Sequence, residues 1–365
     1  MENKNNSSGK FTRRKFVGGT AALAAVSMIP LGLSSCKQQK TAAAIVPAKP
    51  SSLFNGIQIG AITYSWRSMP GGVENIIKYC KEAGLTSIEL MSNDVEDYLG
   101  APKNPMMAMF GPPPPPPKPD TGKKQAGPPP QGPKPGPRPQ FKFTPEQEAA
   151  IKKFNEDVKA WRLALPISKF EDVKKLFDDA AIGIHFVKFS PARWSDEEID
   201  YAFKAAKALG AKGVTEELGE EAVKKLGPIA EKHGMYAIFH NHMQFEKPGF
   251  SYDPFIAVSP AVMFNFDAGH FFGSTGLHPN TIIEKYHDRI VSIHLKDKTG
   301  PNTDPANTNQ VWGQGEMPIA EVLQLIQKQK WPIFCDIELE YDIKPWSNAV
   351  KEVKVCTQFA RQILM

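Results

Sequence analysis

The stretch YAIFHNH, residues 236–242, is an apolar run of strand length that ends in two histidines. Its first four residues are aromatic or aliphatic, which is typical of a strand buried on both faces in a parallel sheet. Because side chains alternate between the two faces of a strand, His240 and His242 point in the same direction. A single histidine at a strand end is often only a hydrogen-bonded group at the edge of a core. Two on one face predict a strand whose carboxyl end carries a binding or catalytic site.

Similar apolar runs alternate with amphipathic segments along most of the chain. Eight strands are predicted, at Ile57–Ser65, Ser87–Met91, Gly183–Phe189, Gly213–Glu216, Tyr236–His240, Val262–Asp267, Ile290–Lys296 and Pro332–Glu338. Seven helices are predicted, at Val73–Ala83, Phe170–Ala180, Asp196–Leu209, Glu220–His233, Thr281–His287, Ile319–Gln327 and Ser347–Leu364. The connection 251–259 is short and gives no clear helix. Alternation predicts a parallel sheet, and eight such units predict a closed (β/α)8 TIM barrel.

An open, doubly wound sheet that binds nucleotides is the alternative fold. Such a fold carries G-x-G-x-x-G after its first strand, or a phosphate loop of the form G-x-x-x-x-G-K-[ST]. Neither pattern stands in the required place in the sequence. The barrel is therefore the better interpretation.

The first 36 residues have the features of an export signal. Arg13 and Arg14 form a twin-arginine pattern, the run 17–33 is small and apolar, and the following LSSC, which ends at Cys36, resembles a bacterial lipobox. The apolar run is interrupted by glycines and a proline and lies at the short limit for a membrane span. We therefore expect a signal at 1–36 with Cys36 as lipid anchor, a tether at 37–50, and a periplasmic or cell-envelope location.

Residues 111–139 are nearly half proline and contain almost no apolar side chain to bury. Proline lacks the amide hydrogen that helices and strands require. We expect an extended, disordered insertion at about 101–141 within a barrel domain that spans 51–365. A tolerated surface insertion is favoured over a docking site for a proline-binding partner.

The distribution of charge argues against a nucleic-acid partner. Of the net charge of +5, residues 1–50 contribute +7 and residues 111–139 contribute +4, so the rest of the chain carries −6. Phosphate backbones are bound by clustered cations, which the predicted barrel lacks. The cysteines form no C-x-x-C pair, so a zinc site built on thiolates is not expected either.

In a TIM barrel the active site lies at the carboxyl ends of the strands, so the polar residues found there should surround one opening. In strand order these are Glu89, His185 with Lys188, Glu216 with Glu217, His240 with His242 and Glu246, Asp267 with His270, His294 with Asp297, and Glu338 with Glu340. Histidines and carboxylates recur on adjacent strands, which is the ligand chemistry of a divalent metal ion. The sequence therefore predicts a metal site at the barrel mouth.

Four of these segments, HNHMQFE, NFDAGH, SIHLKD and DIELE, resemble motifs of the xylose isomerase-like barrels, a group that includes sugar phosphate isomerases/epimerases, ketose 3-epimerases and inosose dehydratases. The resemblance covers about Ile57 to Leu364, except for the proline-rich insertion. It implies four metal ligands, namely His240, Asp267, His294 and Glu338. The ketose epimerases have Glu where this chain has His240, and the H-x-H pattern is more similar to that of the inosose dehydratases.

The resemblance implies an enzyme in which Mn, Mg, Co or Zn holds the carbonyl and an adjacent hydroxyl of a sugar and stabilises an enediolate. Glu338 is then the expected base, and a second acid or base is expected among His185, Lys188 and His270. Contacts with the sugar are expected from Glu246, His242, Glu89 and the aromatic ring of Trp66.

We therefore expect an exported, metal-dependent isomerase or epimerase that acts on a free sugar or keto sugar. A lyase that performs β-elimination on a 3-keto sugar or 3-keto glycoside is the first alternative, and His240 in place of Glu favours it. A non-catalytic, lipid-anchored carbohydrate-binding barrel is the second. Membrane contact is expected only through Cys36, and both a monomer and an oligomer are compatible with the sequence.

Overall fold

Eight parallel strands close on themselves in the computed structural model, which describes residues 51–105 and 143–365. The strands are β1 Ile57–Ile62, β2 Ser87–Met91, β3 Gly183–Lys188, β4 Gly213–Glu217, β5 Tyr236–His240, β6 Val262–Asp267, β7 Ile290–Leu295 and β8 Phe334–Ile337. Each pairs with the next, and β1 pairs with both β2 and β8, where Ala61 lies opposite Ile88 and Ile337. The predicted (β/α)8 TIM barrel is confirmed.

The predicted strands are all present, and the differences lie at their ends. The first strand stops at Ile62 because Thr63–Trp66 forms a 3-10 turn. The last strand begins at Phe334 rather than at Pro332, which has no amide hydrogen to donate to a neighbouring strand. Short strands outside the barrel are Leu53–Phe54, Asp297–Lys298 and Asn309–Gln310.

Helices surround the barrel. They are α1 Val73–Ala83, α2 Ser92–Tyr98, α3 Pro145–Ala164, α4 Ser168–Asp179, α5 Asp196–Ala208, α6 Glu220–His233, α7 Asp253–Ile256, α8 Ala268–Thr275, α9 Asn280–Tyr286, α10 Ile319–Gln329 and α11 Ala349–Leu364. The seven predicted helices are present, and the short connection 251–259 contains the single turn α7. None of the described helices is long and apolar enough to cross a bilayer.

Three helices were not predicted, namely α2, α3 and α8. Helix α3 begins with a capping box at Thr144 and has a proline at its first position, yet only Val158 is fully buried on it. A helix with so little buried surface has no clear apolar stripe in its sequence. Its carboxyl end is instead anchored by Arg162, which donates to both carboxylate oxygens of Glu96 at 2.8 and 3.0 Å and stacks over Trp194.

The barrel interior contains both apolar and polar side chains. Phe186, Ile238, Met263 and Val291 form a small apolar cluster. A polar layer contains the buried residues Glu89, His185, Thr215, Asn265, Asp336 and His294. Gly60 faces this polar layer, where a Cβ would lie 2.2 Å from Asp336 Oδ1. The interior therefore supports a polar site at the carboxyl ends.

Several predictions concern segments outside the described residues. The export signal 1–36, the anchor Cys36 and the tether 37–50 are among them, as is most of the proline-rich insertion. The three remaining cysteines, Cys80, Cys335 and Cys356, are buried and free.

Candidate active site at the barrel mouth

The four predicted metal ligands lie together at the carboxyl ends of β5 to β8. One ligand atom from each of His240, Asp267, His294 and Glu338 can be chosen so that all lie within 4.8 Å of one another. His240 Nε2 is 3.2 Å from Asp267 Oδ2 and 3.8 Å from Glu338 Oε2, and His294 Nδ1 is 2.9 Å from Glu338 Oε2. All four residues are buried. We call this set the mouth cluster.

Each histidine of the mouth cluster has an outer carboxylate on its second ring nitrogen. His294 Nε2 lies 2.7 Å from Glu89 Oε2, and His240 Nδ1 lies 3.4 Å from Glu217 Oε2. Glu89 is held in turn by Thr215 at 2.6 Å and Asn265 at 2.9 Å. An outer carboxylate that fixes the tautomer and ring orientation is the usual environment of a metal-bound histidine.

The mouth cluster fits a divalent metal ion on these observations. Two imidazoles and two carboxylates suit Mn, Co or Zn, which accept nitrogen and oxygen ligands. His240 Nε2 faces Asp267 and Glu338, whereas its Nδ1 lies within ion-pair distance of Glu217. His240 thus turns its Nε2 to the centre of the cluster. Glu338, rather than Glu340, is the residue of β8 and its following loop that joins the cluster.

Lys296 lies against the carboxylates of the mouth cluster and was not among the predicted site residues. Its ammonium is 2.8 Å from Asp267 Oδ2 and 2.7 Å from both Glu338 Oε2 and Glu340 Oε2, and the residue is 2% exposed. Burial opposes the charge of Lys296, but the three carboxylates raise its pKa above the ordinary value. Lys296 is therefore a cation that neutralises the mouth carboxylates.

A signal for Lys296 was present in the sequence. The motif SIHLKD places Lys296 two positions after His294, and alternation puts both side chains on one face. The same rule directs Asp297 away from the mouth. In the structure, Asp297 accepts hydrogen bonds from the backbone N–H groups of Gly313, Gly315 and Met317. Asp297 thus organises the loop after β7.

Three further residues form one wall of the mouth. Lys188 donates to Glu217 Oε1 at 2.6 Å, and His242 Nε2 lies 3.4 Å from Glu217 Oε2. His242 is half exposed and borders the opening, and its contact with the sugar stays a prediction. The neighbouring Glu216 instead accepts the backbone N–H groups of Ala192 and Glu217, so its carboxylate holds the local backbone.

His270 lies at the opening beside His242, with ring centroids 5.0 Å apart. Its Nε2 is 3.8 Å from Asp267 Oδ2 and 3.9 Å from Glu340 Oε2. Burial lowers the pKa of His270 to about 4, against the opposing charge of Asp267, and Lys296 lowers it further. The ring is thus neutral near pH 7 and can accept a proton or a hydrogen bond.

The mouth carboxylates are ionised. Burial raises the pKa of Glu338, but Lys296 and His294 together hold it well below the ordinary value. For Glu89, burial is likewise outweighed by His294, and its pKa falls to about 2. A cluster of ionised carboxylates next to imidazoles attracts a cation and can accept a proton from a bound substrate.

Three predicted site residues lie away from the mouth cluster. His185 is buried in the barrel interior, where it bonds Ser87 and Asp336 at 2.8 and 2.9 Å. Trp66 is 2% exposed and packs against Tyr79 in the core. Glu246 is exposed on the 3-10 turn Gln244–Glu246, and no hydrogen bond or ion pair joins its carboxylate to other residues in the described part of the chain.

The sequence matches the model of the xylose isomerase-like TIM barrel family over residues 169–358, slightly more than half of the chain. No curated protein shows a significant match.

Solved structures share the fold at low sequence identity. A xylose isomerase domain protein from Alicyclobacillus acidocaldarius aligns with a TM-score of 0.52 and 11% identity, over 84% of this chain and 98% of that one. The probable 3-DHS dehydratase AsbF from Bacillus anthracis aligns with a TM-score of 0.51 and 14% identity, over 83% of this chain and 98% of that one. The 3-keto-D-glucoside 4-epimerase YcjR from E. coli aligns with a TM-score of 0.51 and 10% identity, over 84% of this chain and 99% of that one.

Proposed function

Since the chain belongs to the xylose isomerase-like TIM barrel family, we propose that it is a metal-dependent isomerase or epimerase of a free sugar or keto sugar. The observation that carries the proposal is the mouth cluster, in which two imidazoles and two carboxylates at the ends of four adjacent strands bring one ligand atom each within 4.8 Å. Outer carboxylates on both histidines support the same conclusion.

A divalent cation bound by the cluster supplies Lewis-acid polarisation of a carbonyl and its neighbouring hydroxyl, which acidifies the proton between them. Glu338 is the proposed base. Its Oε2 is held by His294 and Lys296, whereas no hydrogen bond of its Oε1 is found in the described regions. Oε1 is therefore the atom that can take the α-proton, and Lys296 keeps the carboxylate ionised beforehand.

Proton return requires a second group, and two at the mouth are suitable. Lys188 is a cation whose pKa is raised, against the effect of burial, by Glu217 and Glu89. His270 is neutral near pH 7 and faces Asp267. Return of the proton to the same or the adjacent carbon gives epimerisation or isomerisation.

A lyase is the second candidate, and the H-x-H pattern of β5 favours it. His240 occupies a ligand position, while His242 lies at the opening with its ring 5.0 Å from that of His270. Burial lowers the pKa of His242 as well as that of His270. Such a pair can accept the α-proton on one ring and pass a proton to a leaving group, which is what β-elimination requires.

The proposal of a free sugar follows from the proposed location. The twin-arginine pattern and the lipobox at Cys36 support export and lipid anchoring. Few sugar phosphates are available outside the cytoplasm. Membrane fractionation of Cys36→Ser tests the location, and a variant that remains in the membrane fraction contradicts the lipid anchor.

The reaction is tested with the purified mature chain. Its metal content is measured, and it is then incubated in deuterated water with a panel of keto sugars and one 3-keto glycoside. We expect bound metal and deuterium incorporated α to the carbonyl. A product whose mass is unchanged apart from deuterium indicates an epimerase or isomerase. Release of the aglycone from the 3-keto glycoside indicates a lyase. If no substrate exchanges deuterium, the proposed enzymatic activity is contradicted. The non-catalytic carbohydrate-binding barrel is then the remaining hypothesis.

Two variants assign the chemistry to the mouth cluster. His240→Ala and Asp267→Ala should lose bound metal and deuterium exchange, whereas Asp288→Ala, at an exposed position before β7, should keep both. Full metal content and full exchange in the two mouth variants contradict the metal site.

A further inference from the structure

A second lysine, Lys298, lies beyond Lys296 on the same face of the chain. One residue, Asp297, separates them, and alternation directs both side chains towards helix α8. A Cβ at Gly269 would lie 2.2 Å from Lys296 Cγ, and a Cβ at Gly273 would lie 2.9 Å from Lys298 Cε. The two glycines, one helical turn apart, thus leave room for two parallel lysine side chains that run into the mouth.

The two lysines differ in their partners. Lys296 is bound by three carboxylates, whereas Lys298 is 4% exposed and its ammonium has no hydrogen bond or ion pair within the described regions 51–105 and 143–365. The backbone of Lys298 is fixed by pairing with Asn309 and by the N–H of Glu316 at 2.8 Å. A lysine that is buried over most of its surface and has no counter-ion is costly to keep charged, so it points to an anionic ligand.

Lys298 lies beside the active site, because its Cε packs at Gly273 of α8, the helix that begins after Asp267 and carries His270. Burial lowers its pKa, and Lys296 lowers it further, while Asp267, Glu340 and Glu338 oppose this effect. Those three carboxylates already bind Lys296, so they leave Lys298 without a close anion.

A second polar atom without a partner lies beside Lys298. Asn307 Oδ1 is buried and makes no hydrogen bond among the described residues, and it lies 2.3 Å from the position of a Cβ on Gly273. The amide nitrogen of Asn307 is occupied, since it donates to Met243 Sδ at 3.4 Å. A free cationic donor and a free acceptor thus lie on the same side of Gly273.

From this pairing we infer that Lys298 and Asn307 form a subsite for a carboxylate with a neighbouring hydroxyl, so that the substrate is a sugar acid. Lys298 donates to the carboxylate, and Asn307 Oδ1 accepts from the hydroxyl. A phosphate fits less well, because phosphate sites usually combine several donors such as Arg or helix N-terminal N–H groups. The inference rests on the proposed function and names its substrate class.

Binding of three sugar probes tests this subsite. D-glucuronate, D-glucose and glucose 6-phosphate are titrated calorimetrically into the wild-type protein, Lys298→Met and Lys285→Met in the presence of Mn²⁺. Lys285 is an exposed lysine paired with Asp253 on the barrel exterior and serves as the matched control. A charge-assisted hydrogen bond corresponds to a preference for glucuronate over glucose of about 10- to 100-fold.

We expect that preference in the wild type and in Lys285→Met, and its loss in Lys298→Met with glucose binding unchanged. Lys298→Met should fold normally, because methionine replaces a buried charge with an apolar side chain of similar length. Any of four results overturns the subsite. These are equal binding of glucuronate and glucose, no binding of glucuronate, tighter binding of glucose 6-phosphate, and a preference for glucuronate that survives in Lys298→Met. Failure of the proposed function is separate, since it is seen as absence of deuterium exchange.

Discussion

Glu89 Oε2 lies 2.7 Å from His294 Nε2, and this contact fixes which nitrogen of His294 faces the barrel mouth. With Nε2 bound to Glu89, Nδ1 is the atom that faces Glu338, at 2.9 Å. Glu89 is fully buried and is itself held by Thr215 and Asn265. It therefore acts as a positioning residue for a ligand of the mouth cluster, rather than as the sugar contact expected from its place at a strand end.

Replacing Glu89 by Gln should weaken metal binding by about 10- to 100-fold, the usual cost of losing an outer carboxylate. Glutamine keeps the shape of the side chain but lacks the charge that supports the ring. The measurement is a calorimetric titration of metal-free protein with Mn²⁺ or Zn²⁺. Glu74→Gln, in the first turn of α1, is the control and should bind as the wild type does. Equal affinity in all three proteins contradicts this role.

Lys296→Met should destabilise the metal-free protein by about 3–5 kcal/mol, since it leaves buried carboxylates without their cation. A divalent metal should then restore more stability in the variant than in the wild type. Urea unfolding in EDTA and in Mn²⁺ measures both effects. The control Lys285→Met breaks only an exposed pair and should change stability by less than about 1 kcal/mol. A variant as stable as the wild type in EDTA would show that Lys296 does not balance the cluster.

The barrel could be predicted from the sequence because buried parallel strands are continuous apolar runs, as in Tyr236–His240 and Val262–Asp267. Helix α3 could not, because it is stabilised by Arg162 and its contacts with Glu96 and Trp194, which are distant in sequence. Local periodicity carries no information about such contacts.

The mouth cluster follows from which residues end the strands, so its members could also be predicted. To predict Lys296 as a site residue, the alternation of side chains along a strand had to be extended beyond the end of β7. The positions of His185 and Trp66 depend on depth in the barrel and on packing against Phe334 and Tyr79, which a strand-end pattern does not specify.

His270 should make the metal-free protein less stable in mild acid. Its pKa is about 4 in the folded chain, against about 6.5 for an ordinary histidine. Between these values the unfolded chain binds a proton that the folded chain does not, so stability falls as the pH drops from about 6.5 towards 4. His270→Gln should reduce the loss of unfolding free energy between pH 7 and pH 5 by about 1–2 kcal/mol.

Urea unfolding in EDTA at the two pH values measures this slope. His278→Gln, at an exposed position before α9, is the control and should retain the wild-type slope. Identical slopes in wild type and His270→Gln would mean that His270 keeps its ordinary pKa.

Asp297 should determine the order of the loop that carries Asn307. Its carboxylate accepts the N–H groups of Gly313 and Gly315 at 2.8 and 3.0 Å on Oδ2, and that of Met317 at 3.2 Å on Oδ1. Asp297→Ala leaves these donors without an acceptor and should lower the free energy of unfolding by about 2–4 kcal/mol. Asp297→Asn keeps one acceptor oxygen and should fall between the alanine variant and the wild type.

Limited proteolysis separates a local effect from a global one. In Asp297→Ala we expect cleavage within 299–318 before the rest of the barrel is attacked, because the loop loses the hydrogen bonds that hold it while the strands keep theirs. Asp288→Ala, at an exposed position, should be cleaved as the wild type is. Since Asn307 lies in this loop, Asp297→Ala should also weaken glucuronate binding without altering the metal affinity of the mouth cluster. If metal affinity falls equally, Asp297 supports the whole mouth rather than the loop alone.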